Sequence, residues 1–377
     1  MKTLVFVSVF LVVAFGLLAG CEGPQGPAGG KDTVYVPINP VNFEGFAPGI
    51  QCAKCHNPDI DTTYYLWARR YQWEHSLHAY GGDLERNGPD CAGCHTTEGL
   101  IARWKNNWAS QSVTAQENPS PPGCFACHSP HSRGNFSLRD ASPVTLASYV
   151  AGVPDASFDY GKGNMCARCH QPRSLSPIPD PSKTAQTDTI TITSSRWYTH
   201  YGMQAQMLMG TGGFQFQGYT YRGNSNHTTN TGLRQEGCIA CHMASQTYPP
   251  DLGSGRGGGH TMKIRYSSDE TESDTLFVLK GCNQSDCHGS NVFTKTTLLA
   301  AEKALDDSLH ALETLLIQKN WITTSLLVRT PLRISPAYKA GALYNYFFVE
   351  HDASRGMHNT KYAQDLVNTS LQVLRLP

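Results

Sequence analysis

Twelve of the thirteen cysteines in this 377-residue chain fall into six pairs, and a histidine follows the second member of every pair. Five pairs read Cys-x-x-Cys-His: Cys52/Cys55-His56, Cys91/Cys94-His95, Cys124/Cys127-His128, Cys166/Cys169-His170 and Cys238/Cys241-His242. The sixth is wider, Cys282-Asn-Gln-Ser-Asp-Cys287-His288. Cys-x-x-Cys-His is the signature of covalent c-type haem attachment. Two thiols a short turn apart add to the two vinyl groups, and the adjoining imidazole is the proximal iron ligand. The wider pair satisfies the same requirement if its loop bulges. Structural zinc also uses paired cysteines, but it does not require a histidine after every second one. A dithiol redox motif would need a thioredoxin-like strand–helix–strand pattern, which is absent. The implied cofactors are therefore six haem c groups, and no cysteine of the six pairs is left for a disulfide.

The thirteenth cysteine has a different explanation. Lys2 precedes an apolar run from Leu4 to Leu18, shorter than the roughly 20 residues of a membrane-crossing helix and suited to a signal-peptide core. The run ends in Leu18-Ala19-Gly20-Cys21, which resembles a bacterial lipoprotein box. That resemblance implies cleavage before Cys21, lipidation of its thiol, and stable attachment through several acyl chains. Residues 1–20 are then the signal, and residues 21–45 are a tether containing two Gly-Pro-x triplets, too few for a collagen helix. Export agrees with extracytoplasmic haem attachment. The expected location is the periplasmic or outer face of a bacterial membrane. Glu22, rather than Asp, follows Cys21, which favours the outer membrane.

Composition narrows the remaining choices. The formal charge is zero and only 16% of residues are charged, so a nucleic-acid-binding module is not expected. A single apolar stretch excludes a polytopic membrane protein. Gly and Pro number 35 and 22, and regular structure is sparse before residue 290. The expected fold is mainly α with much irregular loop. It is a haem-packed core over residues 46–292, with a helical segment over 293–377 alongside and at most a short hairpin. Ile190 and Ile192 alternate in a candidate strand, and Phe214–Tyr221 is aromatic-rich. Leu298, Leu305, Leu309, Leu312 and Leu316 mark a helix over 294–319. Ser335-Pro336 reads as the start of a second helix through Val349, and Asn359 as the cap of a third ending near Leu374. With so few apolar segments outside this tail, the haem-free chain is expected to fold poorly.

Nine histidines remain outside the motifs. The segments Trp73-Glu-His-Ser-Leu-His78, Cys127-His-Ser-Pro-His131, His200-Tyr-Gly-Met, Asn224-Ser-Asn-His227-Thr, Gly259-His260-Thr and Gly356-Met-His358-Asn run through most of the mature chain. Through them the chain resembles the multihaem c-type cytochromes related to pentahaem nitrite reductase, octahaem hydroxylamine oxidoreductase and their tetrahaem carriers. The resemblance implies distal ligation by His78, His131, His200, His227, His260 and His358, one for each motif. His75 is the competing choice to His78. His310 reads as a flank of the leucine stripe and His351 as a helix-end cation. Met203, Met207 and Met209 read as packing residues rather than thioether ligands.

Iron with two imidazoles has no open position, so the expected activity is electron transfer. The donors and acceptors would be redox proteins, either quinol-linked or periplasmic, and further cytochromes. The competing readings are an oxidoreductase acting on nitrite or hydroxylamine at one open haem, and a haem-stacking filament subunit. No motif ends in the lysine that related nitrite reductases commonly carry at their catalytic haem.

Overall fold

A computed structural model describes residues 46–80, 85–245, 255–268, 274–289 and 292–376. The signal, Cys21 and the tether lie outside the described residues. From Gly45 onward the chain forms one unit.

The first half is short helical turns joined by loops. Two longer helices lie among them: α1 (Leu66–Glu74) and α2 (Thr97–Lys105). Asp61 starts α1 by accepting the Tyr64 and Leu66 amides at 2.7 Å each. Thr96 caps α2 by accepting the Gly99 amide at 3.0 Å, and so satisfies one of the amides a helix start leaves unpaired. A third helix, α3 (Gln204–Met209), ends at Gly210 in left-handed backbone.

The carboxy-terminal region holds α4 (Lys295–Gln318), α5 (Ala340–Asp352) and α6 (Thr360–Arg375). The leucine stripe of α4 is buried as its spacing predicts, and Thr294 caps the helix. Glu302 lies on the same stripe, where Arg265 and Arg355 pair with its carboxylate at 2.6 and 3.0 Å. Asn359 caps α6. The second helix begins later than expected. Pro336 sits in extended backbone, a single 3₁₀ turn follows, and α5 starts at Ala340. Pro336 thus precedes the helix instead of opening it.

Among the described residues three antiparallel strand pairs are present, more sheet than the one hairpin expected. β1 (Val144–Leu146) pairs with β2 (Ala156–Phe158), β3 (Ile190–Ile192) with β6 (Leu332–Ile334), and β4 (Arg265–Tyr266) with β5 (Leu276–Phe277). The Ile190/Ile192 alternation does form a strand, but its partner lies in the tail rather than in a neighbouring turn. Phe214–Tyr221 carries no strand; Phe214 and Phe216 instead point into the core.

That core is larger than the haem-dominated expectation. Leucines of α4, nearly all of α5 and the inner face of α6 pack with Val150, Ile190, Ile192, Trp197, Met203, Met207, Phe214 and Phe216. Asn345 is fully buried and bridges the layers. Its Oδ1 accepts the Phe214 amide at 2.7 Å, and its Nδ2 donates to Phe214 O and Ser370 Oγ. Gly341 lets the two elements close, since a Cβ there would meet Phe214 at 2.1 Å. Among the described residues, the segment before Val144 has no comparable protein core. Leu100 and Ala126 there pack in a small cluster with Met165.

The expectation of general instability without haem is revised accordingly. In a haem-free variant with the twelve motif cysteines changed to alanine, hydrogen exchange should show protection in α4, α5, α6 and β3–β6. Residues 46–133 should exchange rapidly. Uniform protection of both halves, or of neither, would contradict this division.

Candidate functional site

Each motif closes into a turn by the same hydrogen bond. The histidine amide donates to the carbonyl of the first cysteine: His56 to Cys52 at 2.8 Å, His95 to Cys91 at 3.1 Å, His128 to Cys124 at 2.9 Å, His170 to Cys166 at 2.9 Å and His242 to Cys238 at 3.0 Å. The wider sixth motif makes the equivalent bond, His288 to Cys282 at 3.2 Å. Its two additional residues bulge without changing how the histidine is tied to the first cysteine. None of the twelve motif cysteines is joined in a disulfide.

Every motif histidine faces one histidine from a remote segment. Ring centroids lie 6.2 Å apart for His56 and His131, 6.1 Å for His95 and His200, and 6.4 Å for His128 and His260. They lie 6.2 Å apart for His170 and His78, for His242 and His358, and for His288 and His227. Direct ring stacking would bring them closer. A metal–imidazole bond is about 2.0 Å and the ring centre lies roughly 1.1 Å beyond the nitrogen, so two rings on opposite sides of one ion have centroids about 6.2 Å apart. The six separations match that figure, and each pair has two cysteines of its motif beside it.

Local structure fixes the remote rings. His131 sits on the one-turn helix Pro130–Arg133, and its ring stacks on Phe46 at 4.5 Å. His260 is positioned by α1, because its amide donates to Gln72 Oε1 at 3.0 Å. His200 occupies left-handed backbone, φ 66°, an uncommon choice for a residue with a side chain. Several rings are also held through Nδ1, which leaves Nε2 to face a metal. His227 meets Met357 O and His242 meets Met262 O, both at 2.9 Å. His170 meets Gln204 Oε1 at 3.3 Å, and His358 meets Asp352 Oδ1 at 2.7 Å.

Burial disfavours the charged form of six of these imidazoles, and a metal requires the neutral form. Burial holds His128, His170, His227 and His242 below the ordinary histidine range. His200 and His260 are pulled down to about 4. At His358 burial acts the same way, but the Asp352 carboxylate outweighs it and the ring is raised.

Neighbouring motifs are joined by side-chain packing, by side-chain hydrogen bonds and by close backbone approach. The first and third are joined by sequence, since His131 lies three residues after His128. The third packs on the fourth through Ala126, Cys127, Met165 and Cys169. Arg103, buried on α2, clamps the second to the fourth: its Nη1 donates to Gly93 O at 3.1 Å, Arg168 O at 2.9 Å and Cys94 Sγ at 3.2 Å. The fourth meets the fifth where Gly163 approaches Gly237 and Cys238 too closely for any Cβ. The fifth meets the sixth in the same way, through Gly281 against Ala240 and Cys241. The Cys166 motif thus borders three others, and the motifs form a branched series with it at the junction.

The residues around the motifs also suit an acidic, iron-bearing group such as haem. Arg139 Nε, Arg168 Nε and Ser129 Oγ are buried beside the third and fourth motifs without a hydrogen-bond partner. Such orphaned donors need an acceptor, and haem carboxylates are of that kind.

The surplus histidines have other roles. His75 packs at a tilt against Tyr71, and its Nδ1 meets Tyr71 O at 2.8 Å. His310 is exposed beside Glu313. His351 is not the expected helix-end cation. It is half-buried among Tyr198, Tyr201 and Phe347, and burial pulls it down to about 4. Met203 and Met207 are core residues and Met209 packs on a second cluster. Arg103, Gln204, Met262 and Asp352 carry no signal in the sequence, because their partners lie on other elements or across a turn.

Among solved structures, the chain is similar to the crystal structure of outer cell wall cytochrome OcwA, with 19% identity and a TM-score of 0.47 over 81% of this chain and 50% of that one. It is also similar to an undecaheme cytochrome from the S-layer of Carboxydothermus ferrireducens, with 17% identity and a TM-score of 0.43 over 80% of this chain and 40% of that one. The chain therefore spans half or less of either protein. No family model and no curated protein matches it.

The Arg103 clamp is directly testable. Arg103→Ala strands the Gly93 and Arg168 carbonyls, at a cost of about 2–4 kcal/mol. Chemical denaturation of the holoprotein should show that loss, and a change below about 0.5 kcal/mol would contradict the clamp.

Proposed function

We propose that this chain is an electron-transfer protein carrying six covalently attached c-type haems, each iron held between two histidines. The pairs are His56 with His131, His95 with His200, His128 with His260, His170 with His78, His242 with His358, and His288 with His227. The observation that carries this reading is the six ring pairs at 6.1–6.4 Å. The attachment residues are Cys52, Cys55, Cys91, Cys94, Cys124, Cys127, Cys166, Cys169, Cys238, Cys241, Cys282 and Cys287. Haem bound there supplies one-electron exchange at the iron.

The protein's own part is to fill both axial positions, hold the rings against rotation, and set the order of the sites. Filled axial positions favour a carrier over an enzyme acting on nitrite or hydroxylamine. A filament built on ligands donated between molecules is not required either, since each motif histidine faces a partner in the same chain. Contacts between motifs support a branched route. It joins the first site to the fourth through the third, the second directly to the fourth, and the sixth to the fourth through the fifth. The Leu18–Cys21 segment supports export and a lipid anchor at a bacterial membrane surface, with other redox proteins as partners.

Haem assay of the purified protein should give six haems per chain, and electron paramagnetic resonance of the oxidised form should show low-spin iron only. His200→Ala should convert one haem in six to high spin. Reduced-viologen assays should show no turnover of nitrite or hydroxylamine. A stoichiometric high-spin signal in the unmodified protein would overturn the all-carrier reading.

A further inference from the structure

The loop from Asp352 to His358 carries a feature the electron-transfer reading does not use. Asp352 is the last residue of α5, and its side chain is 1% exposed. Ala353, Arg355 and Gly356 all take positive φ, so the chain folds back within six residues. This return places His358 Nδ1 2.7 Å from Asp352 Oδ1. Ser354 Oγ donates to the other carboxylate oxygen and accepts the His358 amide at 3.2 Å. Gln204 Nε2 holds the same turn by donating to the His351 and Asp352 carbonyls at 3.2 and 3.3 Å.

A buried carboxylate is a far stronger acceptor than the neutral groups met by other rings. His242, which faces His358, donates to the Met262 carbonyl, and His227 donates to the Met357 carbonyl. A hydrogen bond to a carboxylate shifts electron density onto the imidazole and makes it a better donor to metal. The ferric state has one more positive charge than the ferrous state, so it gains most from that density.

We propose that Asp352 is a positioning residue that lowers the reduction potential of the His242–His358 centre through its hydrogen bond to His358. The step is a one-electron reduction of iron, with the electron supplied by a neighbouring haem or, in the test, by dithionite. The Nδ1 proton stays on His358, and no bond forms or breaks. Asp352 thereby makes the centre between the junction and the sixth motif harder to reduce than a neutral acceptor would.

This inference rests on haem ligation by His242 and His358, which haem content and spin state report separately from potential. The test is spectroelectrochemical titration of the full-length holoprotein and its Asp352→Asn, Asp352→Glu and Ser354→Ala variants. In Asp352→Asn, with six low-spin haems retained, one component should move to higher potential and one low-spin resonance should shift. Asp352→Glu should restore most of the original value. Ser354→Ala frees a carboxylate oxygen and should move the same component to lower potential. Unchanged potentials, a common shift of all components, or conversion of one haem to high spin in Asp352→Asn would each overturn the tuning role. Fewer than six haems in the unmodified protein would instead count against the ligation.

Discussion

Facing pairs of imidazoles organise this molecule. Each pair joins a local motif to a histidine far along the chain, and the pairings interleave: His131 follows the third motif but faces the first, and His78 precedes the second but faces the fourth. Closing such distant loops is entropically costly for a flexible chain. On the proposed ligation, an iron bound across each gap would offset that cost by linking segments that otherwise share little apolar contact. This accounts for how the first half keeps a defined path with only short turns and small clusters. The lowered pKa values of six rings belong to the same arrangement, because burial that disfavours imidazolium would favour a ligand form.

The carboxy-terminal helices give this linked region a rigid base. α5 is buried on nearly every face, and Asn345 ties it to Phe214 and α6. The same elements deliver function-bearing groups: α5 ends at Asp352, the α5–α6 turn carries His358, and α3 places Gln204 between His170 and that turn. Core packing on one side and histidine placement on the other are thus properties of the same few residues.

The motif turns were legible because they are local. Two thiols and an imidazole must lie within one turn, and the sequence shows them there. The α4 leucine stripe and the Asn359 cap were legible for the same reason. Long-range features were not. β3 finds its partner 140 residues away, and no alternation of Ile190 and Ile192 reveals where that partner lies. Ser335-Pro336 has the composition of a helix start, yet Pro336 takes extended backbone and the helix begins at Ala340. His351 has the position of a helix-end cation, but aromatic neighbours bury it. The remote histidines could be proposed from a resemblance, but which motif each one faces depends on tertiary structure alone. Arg103 and Gln204 had no sequence signal, because what defines them is a carbonyl or ring on another element.

The motif contacts describe a branched path with the Cys166 site bordering three neighbours, and the whole account depends on iron lying between each histidine pair. Anomalous diffraction at the iron edge from crystals of the holoprotein measures that most directly. The account predicts six iron peaks, each midway between one motif histidine and its partner. Fewer than six peaks, or a peak flanked by a single imidazole, would contradict it.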